Sequence, residues 1–320
     1  MEFRKKGIVL AAGLACVASA PSILACSSCG CTLSSDWSSQ GIGHGEGFRL
    51  DVRQDYFNQN QLRSGTGKVD RASLTFPNDR EIQQATVNRN TTLSLDYSGS
   101  GNWGVTVQVP QFDRLHTTIA PGDTDVSTSH TDSIGDIRVI GRYHGLSGDH
   151  SLGVQFGLKL PTGSYNNTFI DGPQAGQPLD RGLQPGTGTT DLILGVYKFG
   201  ALSRDWDYFS QALVQKPLNS RQDFRPGTGL NLNVGVRYVG FEKVTPLLQL
   251  NVRAEARDSG LNADVDNSGA TRAHLAPGVS IDLGGKARLY GFLQLPVYQR
   301  INGLSIEARY VVSVGLFFYR

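Results

Sequence analysis

Hydrophobic and polar residues alternate one by one along most of this chain. From Ala308 to Phe318 every even position is apolar or aromatic, and the odd positions include Arg309, Ser313 and Gly315. A period of two residues is the signature of a β-strand with two different faces. The same alternation recurs from Phe48 onward and predicts about 12 strands.

The connections between the predicted strands also alternate, in length. Short turns are expected at five places, and long polar segments separate them. Short turns on one rim and long loops on the other are typical of outer-membrane barrels. The turns are 98–102, 145–150, 200–205, 240–243 and 284–286, and the long segments are 58–89, 115–133, 163–188, 218–229 and 257–273.

The N-terminus has the pattern of an export signal. A basic start, Arg4 to Lys6, precedes an apolar, alanine-rich stretch that ends at Ala25. We therefore expect residues 1–25 to be a secretory signal peptide, followed by a Cys-rich periplasmic segment (26–46) and the barrel (47–320). The sequence before Cys26 also fits a lipobox, which makes Cys26 the candidate site of lipidation and membrane anchoring.

Loss of the signal changes the charge of the chain. The full sequence has 30 basic and 28 acidic residues, and the signal removes Arg4, Lys5, Lys6 and Glu2, which leaves 27 of each. A neutral mature chain gives no support to nucleic-acid binding. Mean hydropathy is slightly polar (−0.24), as expected if only every second strand residue meets lipid.

These patterns predict an all-β protein, a transmembrane antiparallel up-and-down β-barrel of about 12 strands. The last strand is expected to pair with the strand from Phe48 to Phe57 and so close the barrel. Its apolar face, with Ala308 and Tyr310, is expected to meet lipid. Arg309 is expected to face the lumen.

One pair of motifs resembles a known family. Lys159-Leu160-Pro161-Thr162-Gly163 and, after a polar loop, Gly186-Thr187-Gly188 resemble segments of the bacterial outer-membrane transporters named for the meta-pathway of phenol degradation. The resemblance extends to size and to the run of alternating strands. It implies a barrel that passes small molecules, aromatic compounds among them, and no catalytic residues. The terminal Arg320 and the Cys-rich N-terminus depart from the family pattern.

Charged residues fall on the polar face of the predicted strands. Both signs are present, so they can form an electrostatic filter for solutes or pair into a network that fills the lumen. A slight basic excess favours anionic solutes. The predicted lumen-lining residues are Arg49, Arg53, Arg138, Arg142, Lys159, Asp191, Arg237, Arg253, Glu255, Arg288 and Arg309.

Three cysteines form the sharpest local cluster. Cys29 and Cys31, with Cys26 if it is not lipidated, could bind Cu or Zn or exchange disulfides. The plainer interpretation has Cys26 lipidated and the other two oxidised or free in the periplasm. Residues 264–269 resemble the start of a calcium loop, but Leu275 stands where an EF-hand needs an acid. The scattered histidines form no catalytic motif.

The sequence therefore predicts a channel in the bacterial outer membrane for passive uptake or efflux of small solutes, with no enzymatic activity and no cofactor. Its expected partners are outer-membrane lipid, small-molecule solutes and the barrel-assembly machinery. The alternative is an outer-membrane lipoprotein that handles metal or thiol redox through residues 26–31, with the barrel as its anchor.

Overall fold

The computed structural model describes Leu33, residues 36–42 and residues 45–320. Fourteen strand segments form one antiparallel sheet, in which neighbours along the chain are neighbours in space. The strands are β1 Gly47–Gly65, β2 Gly67–Lys68, β3 Ile82–Ser98, β4 Trp103–Ile119, β5 Ser127–Ile134, β6 Arg138–Tyr143, β7 Leu152–Lys159, β8 Asp191–Ala201, β9 Trp206–Pro217, β10 Gly229–Tyr238, β11 Val244–Glu255, β12 Ala270–Gly284, β13 Ala287–Ala308 and β14 Val311–Tyr319.

The sheet closes on itself as a 12-stranded barrel. β14 pairs with β1 from Arg49 with Tyr319 to Tyr56 with Val312, which is the seam expected from the sequence. β5 and β6 both pair with β4 and share one position in the barrel, while β2 only forms a short hairpin with β1. The prediction of an all-β, up-and-down barrel of about 12 strands is confirmed.

The two rims differ as the sequence predicts. The connections after β3, β6, β8, β10 and β12 are short, and those after β1, β7, β9 and β11 are long. Three expected loops are partly strand, because β1 continues to Gly65, β4 continues to Ile119 and β12 begins at Ala270. The extensions of β1 and β4 are rich in Asn, Gln and Thr, whose polarity hides the strand period. Within the described residues, no helix is long and apolar enough to cross a membrane.

The two faces of the wall have opposite character. Leu93, Leu95 and Tyr97 of β3 point outward and are more than 40 % exposed, whereas Ser94 and Asp96 point inward and are buried. An apolar outside and a polar inside reverse the arrangement of a water-soluble barrel.

The closing strand departs from its predicted phase at one point. Val312, Val314, Leu316 and Phe318 lie on the outer face as expected, but Ala308 is buried. Arg309 and Tyr310 form a break between β13 and β14, so the alternation on one side of the break does not continue on the other. The expectation that Ala308 meets lipid is therefore wrong.

Candidate functional site

The barrel encloses a cavity of about 360 Å³. Its wall is formed by inward side chains from most of the strands. Arg181, Gln184 and Thr187 of the long β7–β8 connection close it toward the rim of long segments, and Leu33 and Asp36 close it toward the rim of short turns. The site is thus a compartment inside the lumen with a cover at each end.

The cover at the short-turn end is residues 36–42, here called the plug segment. The Trp37 ring lies among Tyr290, Phe292 and Phe317, with its centroid 4.7 Å from that of Tyr290. The Trp37 Nε1 donates a hydrogen bond to Asp51, 3.3 Å away. Packed aromatic pairs of this kind stabilise by more than their buried area alone.

Polar contacts attach the plug segment to several strands at once. Asp36 accepts from Gln155, Ser38 donates to Asp96 at 3.1 Å, and the backbone oxygen of Gln40 accepts from Arg237 at 2.8 Å. These residues belong to the stretch that the sequence assigns to a periplasmic N-terminal segment. Residues 36–42 lie in the lumen near the rim of short turns, where their partners supply an apolar slot and matching donors and acceptors.

A buried ion network supports the plug segment from the barrel wall. Asp96 lies 2.6 Å from Arg49 and 2.7 Å from Arg142, and Arg142 is only 2 % exposed. Thr106 also donates to Asp96. With two cations and two hydroxyl donors, this carboxylate meets the condition for a stable buried ion network.

The cover at the other end is residues 160–190, here called the long loop, and both of its ends are clamped by Asp136. Asp136 lies in the gap between β5 and β6 and accepts from the backbone amides of Gly163 and Thr187, at 3.1 and 3.0 Å. Lys159 lies 2.7 Å from Asp136 and 3.3 Å from Asp191. The two sequence motifs therefore join the two ends of one loop.

Three glycines let these backbones approach. A Cβ on Gly163 would lie 2.8 Å from the Cα of Gly186 and 2.9 Å from that of Gly135. Real side chains do not fit at such distances. The motif glycines Gly163 and Gly186 therefore allow the two ends of the long loop to contact each other and the gap between β5 and β6.

The body of the long loop packs against the β9–β10 connection and is bonded to the inner wall. The Arg181 guanidinium lies 4.7 Å from the Tyr165 ring and 4.8 Å from the Phe224 ring, both within cation–π range. Arg114 of β4 donates to the backbone oxygen of Leu183 at 2.8 Å. The loop is thus held across the lumen.

The structure places most of the predicted lumen residues inside the barrel. Six line the cavity, two line a second recess near the short turns, and two belong to the ion network around Asp96. The cavity residues are Arg53, Arg138, Lys159, Asp191, Arg253 and Glu255; the recess residues are Arg237 and Arg288; the network residues are Arg49 and Arg142.

Arg309 is the exception among these residues. It is exposed and lies in the break between β13 and β14, so its assignment to the lumen is wrong. Sequence reasoning also missed Asp136 and Arg272. Asp136 lies outside any clean alternation. Arg272 falls within a stretch read as loop that belongs to β12, where it pairs with Glu255 at 3.0 Å and with Glu307 at 2.7 Å.

The candidate metal ligands Cys26, Cys29 and Cys31 lie outside the described residues. In the part of the chain that the structure describes, no group of three or more His, Cys, Asp or Glu could hold a metal ion. In the segment that resembles a calcium loop, the Asp264 carboxylate accepts instead from the backbone and side chain of Asn267.

Comparison with known proteins gives a structural likeness only. No protein-family model and no curated protein matches the chain. An outer membrane channel from Pseudomonas putida F1 has a TM-score of 0.64 at 13 % identity, over 89 % of this chain and 98 % of that one. A TodX mutant, a monoaromatic hydrocarbon channel, has a TM-score of 0.49 at 10 % identity, over 86 % of this chain and 90 % of that one. The first likeness supports the barrel fold.

Proposed function

We propose that the protein is a channel of the bacterial outer membrane that passes small solutes through its lumen. The observation that carries this proposal is the closed barrel with an apolar outside, a polar inside and a solute-sized cavity. Cavities of 300 Å³ and more are the usual size of small-molecule sites. No enzymatic step is needed for this role.

The outer surface supports a membrane location. Near the rim of short turns, exposed aromatic residues form pairs between adjacent strands, including Phe48 with Tyr97, Trp103 with Tyr143 and Trp206 with Tyr238. Such belts mark the interface between lipid tails and headgroups. The exposed Leu and Val side chains of the same strands then meet the hydrocarbon.

In this proposal, the conformation described above is a closed form of the channel. The plug segment closes one end of the cavity and the long loop closes the other. A solute therefore passes only when both segments move out of its path. Two aromatic residues, Phe112 and Phe224, line the cavity and suit the apolar part of a solute. Together with the motif resemblance, they extend the proposal to aromatic compounds.

Reconstitution tests the proposal. Liposomes that hold the purified full-length protein should take up labelled glucose and labelled phenyl glucoside, which cross lipid slowly, faster than protein-free liposomes. In planar bilayers the protein should give discrete current steps. Boiled protein in the same lipid is the control. Absence of both uptake and current steps, also in a Trp37→Ala variant with a weakened plug, would overturn the channel function.

A further inference from the structure

We infer that the cavity selects uncharged, hydrogen-bonding solutes and excludes ionised ones of the same size. This inference rests on the proposed channel function and assigns the solute class of the same site. It replaces the expectation, drawn from a slight basic excess, that the lumen favours anions.

The charges that line the cavity are nearly balanced. Among the described residues, seven basic and six acidic side chains line the cavity. Arg53 pairs with Asp55 at 2.9 Å, Lys159 with Asp136 at 2.7 Å, and Arg253 with Glu255 at 2.5 Å. Each pair lies within one strand or between neighbouring segments, so the two signs cancel at short range.

An ion pays a free-energy cost to enter this cavity. An ionised solute must give up water on entering a lumen covered at both ends. Among the described residues of the lining, four of the seven cations (Arg53, Lys159, Arg253 and Arg272) hold a carboxylate. Arg114 and Arg181 donate instead to neutral oxygens, so an anion gains either of them, or a paired cation, only by displacing an existing contact. Removing one partner of a buried pair costs several kcal/mol. Both anions and cations therefore meet a barrier.

The wall offers hydrogen-bonding partners to an uncharged solute. In the part of the chain that the structure describes, nine amide side chains line the cavity, among them Gln108, Gln155, Asn231 and Asn233. An amide both donates and accepts hydrogen bonds, so it can replace the water around a hydroxyl or amide group. Phe112 and Ile193 add apolar surface. The lining thus suits hydroxyl- or amide-bearing molecules with an apolar face.

Three sugars of nearly equal size and different charge test this inference. Proteoliposomes holding the full chain are given labelled glucose, glucuronate or glucosamine at pH 6.5, where the last two are charged. We expect glucose to enter at least ten times faster than either. Equal or faster uptake of glucuronate or glucosamine would overturn the selectivity while leaving the channel function intact. No uptake of any of the three, together with no current steps, would overturn the channel function and with it the inference.

A substitution in the wall tests the same point without changing its shape. Gln108→Glu adds one negative charge to the cavity and should raise glucosamine uptake relative to glucuronate about tenfold. Gln108→Leu should lower glucose uptake severalfold. Val107→Leu, on the outer face of the same strand, is the matched control and should change neither. Unchanged ratios in Gln108→Glu would contradict a role for the cavity lining in selection.

Discussion

At the residue scale, one carboxylate, that of Asp136, fixes the position of both ends of the long loop. Asp136 is buried and accepts from two backbone amides, the Thr187 hydroxyl and the Lys159 ammonium. Its neighbour Lys159 retains only Asp191 as an anionic partner if Asp136 is lost. Because both ends of the loop meet at this one group, its removal frees them together.

Asp136→Ala should therefore lower the free energy of unfolding by about 3–5 kcal/mol, the usual cost of breaking a buried ion pair. The unfolding midpoint in urea, followed by tryptophan fluorescence, measures this effect. Amide exchange should rise within residues 160–190. Asp132→Ala, at an exposed position of β5, is the control and should change stability by less than about 0.5 kcal/mol. Equal effects of the two substitutions would argue against the clamp.

Gly163 gives a second test at the same point. Its replacement by Ala puts a Cβ within 3 Å of two backbones, and such overpacking costs about 1–3 kcal/mol. Gly148→Ala, in the β6–β7 turn, meets nothing within 4 Å and is the matched control. A lower thermal midpoint in Gly163→Ala alone is the expected result. If Gly163→Ala unfolds at the temperature of the native chain, the close contact has no structural importance.

At the scale of elements, the plug segment is held mainly by one aromatic side chain. Trp37 is 4 % exposed and belongs to a cluster with Leu33, Ile42, Leu247, Ala276, Tyr290, Phe292 and Phe317. The polar contacts of Asp36, Ser38 and Gln40 each have water as an alternative once the segment leaves. The apolar cluster has no such alternative, so it should dominate the closed state.

Trp37→Ala should shift the plug segment toward an open state, because truncation of a buried Trp costs about 3–5 kcal/mol. In planar bilayers we expect longer or more frequent open events than with the native chain. Trp206→Ala removes an outward-facing Trp at the lipid interface and is the matched control. Open times that match those of the native chain and the control would show that the plug does not limit conduction.

At the scale of the whole molecule, the parts visible in the sequence are those that depend on local periodicity. Leu93, Leu95 and Tyr97 alternate with polar residues because the two faces of the strand meet different environments. This alternation can be recognised without knowing which distant residues the strand contacts. Strand pairing then follows from chain order, which is why the closure of β14 on β1 was predictable.

The parts that the sequence does not reveal depend on contacts between distant residues. Trp37 meets Tyr290, more than 250 positions away, and no short-range pattern signals that contact. Asp136 looks like an ordinary loop acid until Gly163 and Thr187 are brought to it. The break at Arg309 shifts the phase of one strand, and a periodic pattern cannot foresee a bulge.

Buried acidic residues of different connections lie close together at the rim of long segments. Burial raises the pKa of Asp264 to about 7 and that of Asp258 to about 6. Asp180, from the long loop, is fully buried, and its pKa is raised by burial and by the nearby Asp264 and Glu81. Carboxyl groups of two different segments of this rim therefore lie close together, and burial makes each of them hold its proton more tightly than an exposed carboxyl does.

The sign of the resulting pH dependence follows from linkage. A carboxyl whose pKa is higher in the folded state binds its proton more tightly there, so its contribution to stability is complete below pH 4 and is lost as the pH rises toward 7. For Asp264 this amounts to about 4 kcal/mol at most.

We expect amide exchange in residues 256–269 to be faster at pH 8 than at pH 5, after correction for intrinsic rates. Asp264→Asn, which stays uncharged, should remove most of the difference, whereas exposed Asp266→Asn should leave it in place. A pH effect of the same size in Asp264→Asn would mean that another group controls the rim.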